Sequence, residues 1–183
     1  KEAAYLKVKF QPQAVASRKC NGAKLTPVGG GKQKQWLCSA FRLSIDGIDD
    51  AKFANKIESF TIKQGIKKLF TGPRRTMELS PTKIDFPPIV GTIALEKSDG
   101  FLDWYDHYIV AGQKDPKAQK SGSLEFLTPD RSKTLFRIAL FNMGILKAQI
   151  APSTANSDQI KRLKFELYVG DMKLDGPGAL GLE

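Results

Sequence analysis

A single histidine, His107, stands between Asp106 and Tyr108, four residues after Asp103, and any search for chemistry in this chain starts there. Asp103 and Asp106 are three residues apart, a spacing that puts both carboxylates on one face of a helix. Glycoside hydrolysis needs two carboxylates about 5 to 10 Å apart in a cleft, whereas a charged outer helix face needs only the spacing. No serine has the strand-to-helix elbow that exposes an activated nucleophile, so a Ser-His-Asp arrangement has no anchor. His107 therefore reads as an ordinary helix residue, and no enzyme activity is expected. With one histidine and two cysteines the chain lacks the ligand spacing of zinc fingers, ribbons or metalloproteases. Gly29-Gly30-Gly31-Lys32 lacks the Lys-Ser/Thr end of a phosphate-binding loop and reads as a flexible turn. No metal or cofactor is expected.

The cysteines, Cys20 and Cys38, enclose 17 residues. A disulfide there would contribute roughly 3 kcal/mol in the chain-entropy model and would imply an oxidising compartment; the other reading is two buried thiols in a cytosolic protein. The chain opens on Lys1 rather than methionine, which fits a cleaved secretion signal or a trimmed start. No run of some 18 apolar residues is present, so no membrane-spanning helix is expected.

One more group has chemical character: Lys67, Lys68, Arg74 and Arg75, with Phe70 between them. Basic side chains around an aromatic ring can meet phosphates and stack on a base, and the same group can meet Asp and Glu of an adjacent subunit. The whole chain of 183 residues carries a net charge of +10. Through Arg75 there are 16 basic and 5 acidic residues; from Thr76 onward there are 13 and 14. The excess is thus confined to the first part, which points to a basic arm or face rather than a uniformly basic protein.

The elements that must position these residues are mostly strands. With 41% apolar and 26% charged residues the chain can build a core of ordinary domain size. Period-two alternation predicts strands over Leu6-Val8-Phe10, Phe41-Leu43-Ile45 and Phe60-Ile62. Further strands are predicted where Ile89, Ile93 and Leu95 share a face and where Leu124 and Phe126 follow Ser121-Gly122. Residues 134–142 are apolar on both faces, as in a central strand. Leu163 to Val169 alternates up to Gly170-Asp171, with residues 145–151 as its expected partner. One stretch has a helical period: after Ser98 or Asp99 as N-cap, Phe101, Leu102, Tyr105, Tyr108 and Ile109 form a stripe that Gly112 stops. Trp104 is read as core packing with them.

Two regions lack a regular period. Residues 11–35 are rich in Gly, Lys, Pro and Gln, and residues 65–88 contain Pro73, Pro81, Pro87 and Pro88. Both are expected to be long loops, and loops of that length usually serve contacts. The expected organisation is an N-terminal arm over 1–40 with one strand, a β domain over 41–174, and a flexible tail over 175–183.

From Phe41 to about Leu174 the order of elements resembles the phage tail tube protein family, which includes contractile-tail tubes and the related ring-forming tube proteins of type VI secretion. The resemblance runs through Phe41-Arg42-Leu43-Ser44-Ile45-Asp46-Gly47, then Ile57 to Gly65, then Gly91 to Lys97 followed directly by Phe101-Leu102-Asp103-Trp104. Ser123 to Leu127 comes next, and Phe136 to Gly144 resembles the family in following an apolar strand with an Asn-small step and a kinked hairpin. It implies a tail-tube-like β-sandwich or barrel with one flanking helix, here preceded by an N-terminal extension. It further implies a structural subunit whose partners are copies of itself in sixfold rings stacked as a hollow tube, with sheath or tip proteins as possible companions and an extracellular or virion-like location. Residues 65–88 are then the expected contact with the next ring, and basic residues are expected to face away from the bore. The alternative is a β-rich nucleic-acid-binding protein, with nucleic acid also conceivable as cargo of the tube.

Overall fold

The computed structural model of the chain describes residues 6–17, 19, 22, 37–71, 76–151 and 160–176. Nine strands account for half of them: β1 (Phe41–Ile45), β2 (Ala54–Ile57), β3 (Lys63–Thr71), β4 (Thr76–Asp85), β5 (Ile89–Ala94), β6 (Lys120–Leu127), β7 (Thr134–Ile150), β8 (Arg162–Tyr168) and β9 (Asp171–Asp175). One helix, α1 (Asp99–Tyr105), lies between β5 and β6. The fold is mainly β with one flanking helix, as the sequence predicts.

Seven strands form one continuous sheet in the order β1-β6-β7-β8-β5-β2, with β9 also pairing β7. All these pairings are antiparallel. β7 is the hinge of this arrangement. Its first part pairs β6 and β9, and from Gly144 onward it pairs β8. Along β7 the inward residues are Phe136, Ile138 and Leu140, then Met143 and Ile145. The parity changes at Asn142, whose φ of 52° places it in the left-handed region. One residue is thereby inserted into the alternation, so both halves of the bent strand present apolar side chains to the same core. Asn tolerates this conformation better than other non-glycine residues. The kinked hairpin expected at this step is replaced by one strand that bends without turning back.

Packed between the sheet halves are Leu43, Ile89, Ile93, Leu124, Leu140 and Phe165. The helix closes the core: Phe101 stacks on Phe165 with centroids 4.6 Å apart, and Trp104 and Tyr108 are buried beside it. Leu102, Tyr105 and Ile109 are half-buried against the same cluster. Ser98 occupies the N-cap position without a side-chain capping bond; its hydroxyl donates back to the Leu95 carbonyl at 2.7 Å. The helix start is instead met by Asp50, whose carboxylate accepts from the Gly100 N–H at 3.1 Å. Beyond Tyr105 the helix widens into a π turn over Asp106–Val110. Gly112, at φ 69°, ends it where the sequence places the stop.

Three other expectations are corrected. Residues 65–88 are not a loop: most of them form the β3–β4 hairpin. Its strand signal is masked by a bulge between Gln64 and Ile66 and by Pro81, which an outlying strand can hold because an edge position does not require the backbone N–H that proline lacks. The strand expected through Phe60 and Ile62 is an irregular link between β2 and β3, its two apolar side chains half-buried on the core. Leu6 to Phe10 carries no regular structure and pairs with nothing among the described residues. β9 is an addition, since the sequence reading closes its last strand at Gly170-Asp171. Most of residues 18–36 and all of 177–183 lie outside the described residues.

Candidate assembly surfaces

The β3–β4 hairpin is a two-stranded sheet of its own. Directly opposite residues of an antiparallel pair point to one side, and the register sets Phe70 opposite Met77, Lys68 opposite Leu79 and Ile66 opposite Pro81. One face is therefore apolar except for Lys68 and Gln64. The other carries Lys67 opposite Ser80 and Leu69 opposite Glu78. None of the described side chains of the hairpin is buried, and Phe70 is 68% and Ile66 40% exposed. A lone two-stranded hairpin is marginal in water, and this one keeps Phe70, Ile66 and Pro81 of its apolar face exposed while Met77 and Leu79 are half-buried.

Lys67, Lys68 and Phe70 thus lie on a single strand, with Lys68 and Phe70 on the apolar face and Lys67 on the reverse. Arg74 and Arg75 fall outside the described residues, as does Cys20. Cys38 is exposed in a turn. Of the five helix residues singled out for packing, Phe101, Trp104 and Tyr108 are buried and Leu102 and Tyr105 half-buried.

Sequence reasoning missed the polar lock that fastens the end of the helix to β8. The Tyr108 and Tyr168 hydroxyls are 2.6 Å apart, and the Gln119 side-chain amide donates to Tyr168 at 3.0 Å. Gly144 makes room for the pair: a Cβ there would collide with the Tyr168 ring and come within 2.7 Å of the Tyr108 hydroxyl. Burial and the Tyr168 hydroxyl push the Tyr108 phenol up to about 12. Tyr108 was visible as a packing residue; its hydrogen bond to a residue 60 positions away had no local signal.

Charges on the outer face of β1, β6, β7 and β9 line up in one row. Register pairs Arg42 with Glu125, Glu125 with Arg137, and Arg137 with Asp175. Glu125 accepts from Arg42 Nε at 3.0 Å and has Arg137 Nε at 3.8 Å. In the β6–β7 loop, hydrogen bonds from Thr128 and Ser132 lower the Asp130 carboxyl to about 2. Asp103 and Asp106 are exposed on the outer side of the helix and do not line a cleft. His107 is likewise exposed, its Nδ1 2.8 Å from the Asp103 carbonyl oxygen to which it donates. Among the described residues no group of three or more His, Cys, Asp and Glu side chains could hold a metal ion. No described helix is long and apolar enough to cross a membrane.

No protein-family model matches the chain, and no curated protein matches it. Solved structures do. A chain in the cryo-EM structure of the anti-feeding prophage cap, which terminates the tube of that particle, superposes with a TM-score of 0.65 at 10% identity, covering 85% of this chain and 97% of the other. A chain of the anti-feeding prophage baseplate gives 0.59 at 14% identity, covering 76% and 95%. A chain of the sheath-tube complex of an extracellular contractile injection system gives 0.59 at 14% identity, covering 74% and 88%. The protein has a tail-tube-like fold.

Proposed function

We propose that this protein is a structural subunit that associates with copies of itself into rings stacked as a hollow tube, without a catalytic role. The observation that carries the proposal is the β3–β4 hairpin, a detached sheet with an uncovered apolar face on a fold otherwise closed around its own core. Burial of that face against a neighbour removes Phe70 and Ile66 from water and stabilises a hairpin that is marginal alone. The outer strands β1, β9 and β2 supply the lateral contacts, because edges joined in a closed ring leave no unpaired strand. Sixfold symmetry, sheath or tip partners and an extracellular or particle-borne location belong to the same proposal, supported by the likeness to particles that contain a sheath, a cap and a baseplate.

The nucleic-acid alternative draws no support from the geometry, which separates Lys67 from Phe70 and Lys68 onto opposite faces. Negative-stain electron microscopy and light scattering of the purified protein test the proposal. Rings or tubes are expected; a monomer at every concentration up to the solubility limit overturns it.

A further inference from the structure

The segment before the β domain has the pattern of a strand and no sheet to join. Leu6, Val8 and Phe10 recur at every second position, separated by Lys7 and Lys9, yet the three apolar side chains are 64%, 58% and 84% exposed. The apolar face of the hairpin also leaves Phe70 and Ile66 exposed, with Met77 and Leu79 half-buried, and its β3 positions Ile66, Lys68 and Phe70 have the same period of two. From Leu6 to Phe10 and from Ile66 to Phe70 a strand advances about 13 Å, so the two sets match in length as well as in spacing.

The chain already approaches this face. Gln11 and Gln13 line a groove together with Gln64, Ile66, Leu79 and Pro81. Within one copy, however, Leu6, Val8 and Phe10 stay in solvent, and so does Phe70. We infer that residues 6–10 of one copy lie as a strand across the apolar face of the β3–β4 hairpin of a second copy, with Leu6, Val8 and Phe10 turned inward and Lys7 and Lys9 outward. The exchange is head to tail: each copy donates an arm through one surface and receives one through another, so it propagates along an assembly instead of ending at a dimer. The occupant is apolar and strand-forming, as the face requires, and its outward lysines keep the covered hairpin soluble.

This inference rests on the proposed self-assembly, and its test separates the two. Val8→Cys and Lys68→Cys are placed in separate preparations, each also carrying Cys20→Ser and Cys38→Ser, and mixed before assembly and mild oxidation. A cross-linked dimer in nonreducing electrophoresis, present only in the mixture, is the expected result. In the otherwise native sequence, the triple variant Leu6→Ser, Val8→Ser, Phe10→Ser should raise the concentration at which assembly begins by about tenfold or more. If the unaltered protein forms tubes, but the mixture gives no dimer and the triple variant assembles at the original concentration, the arm contact is wrong while the tube stands. A Val8→Cys, Lys68→Cys double variant that yields only an internally closed monomer places the arm on its own hairpin and overturns the exchange. Absence of any assembly by the unaltered protein overturns both.

Discussion

Phe70→Thr tests the hairpin face directly. Threonine is β-branched and strand-compatible, and it removes the ring. Fully burying a phenylalanine side chain contributes about 1.5 to 3 kcal/mol. Phe70 is still 68% exposed in the single chain, so about 1 to 2 kcal/mol remains to be gained when a neighbour covers it. Its removal should weaken each subunit contact by a factor of about 5 to 30. The contact repeats at every subunit, so tube length should fall more steeply than that pairwise factor. The fold should hardly notice, because exposed substitutions away from special features stay within about 0.5 kcal/mol. The assay is sedimentation of assembled material against protein concentration, paired with a thermal melt of the dissociated subunit. An unchanged onset of assembly with an unchanged melt would refute the placing of this face in a contact. A large drop in the melt would show instead that Phe70 supports its own hairpin.

Two further outcomes concern the scaffold that holds this surface. Asn142→Val puts a β-branched residue at φ 52°, at a cost of about 1 to 2 kcal/mol, whereas Asn142→Gly should be nearly neutral; urea midpoints of the dissociated subunit distinguish them. Tyr108 remains neutral in the fold up to about 12 while its ordinary value is 10.0. The unfolded chain therefore ionises first, and stability present below about pH 10 is lost as the pH rises toward 12; Tyr108→Phe should flatten that loss in urea titrations across this range.

How far the fold could be read from residues follows from where each signal resides. Phe41–Ile45, Ile89–Ala94 and Arg162–Tyr168 were legible because each alternates cleanly with one face in the core. The helix stripe from Phe101 to Ile109 was legible for the same reason, with Gly112 marking its end. The bend at Asn142 was visible only as a step between two apolar stretches, since a bulge and a tight turn both need a residue that tolerates the left-handed region. The hairpin was the main loss. Pro81, the bulge at Gly65 and a basic strand blur its alternation, and its apolar side has no core within the chain to declare itself against. Leu6 to Phe10 fails in the opposite sense, a clear strand pattern without a strand. Both departures have one physical cause: alternation reports which side chains avoid water, not which chain they avoid it with. The charge agrees with this. Every described Lys and Arg up to Lys68 is exposed, so the excess of the first part is held at the surface, on the arm, on the first two strands and the turn between them, and on β3. In the proposed assembly, segments whose apolar residues await a neighbour must stay soluble until it arrives, and lysines interleaved with them at positions 7, 9, 67 and 68 would do that without occupying Leu6, Val8, Phe10, Ile66 or Phe70.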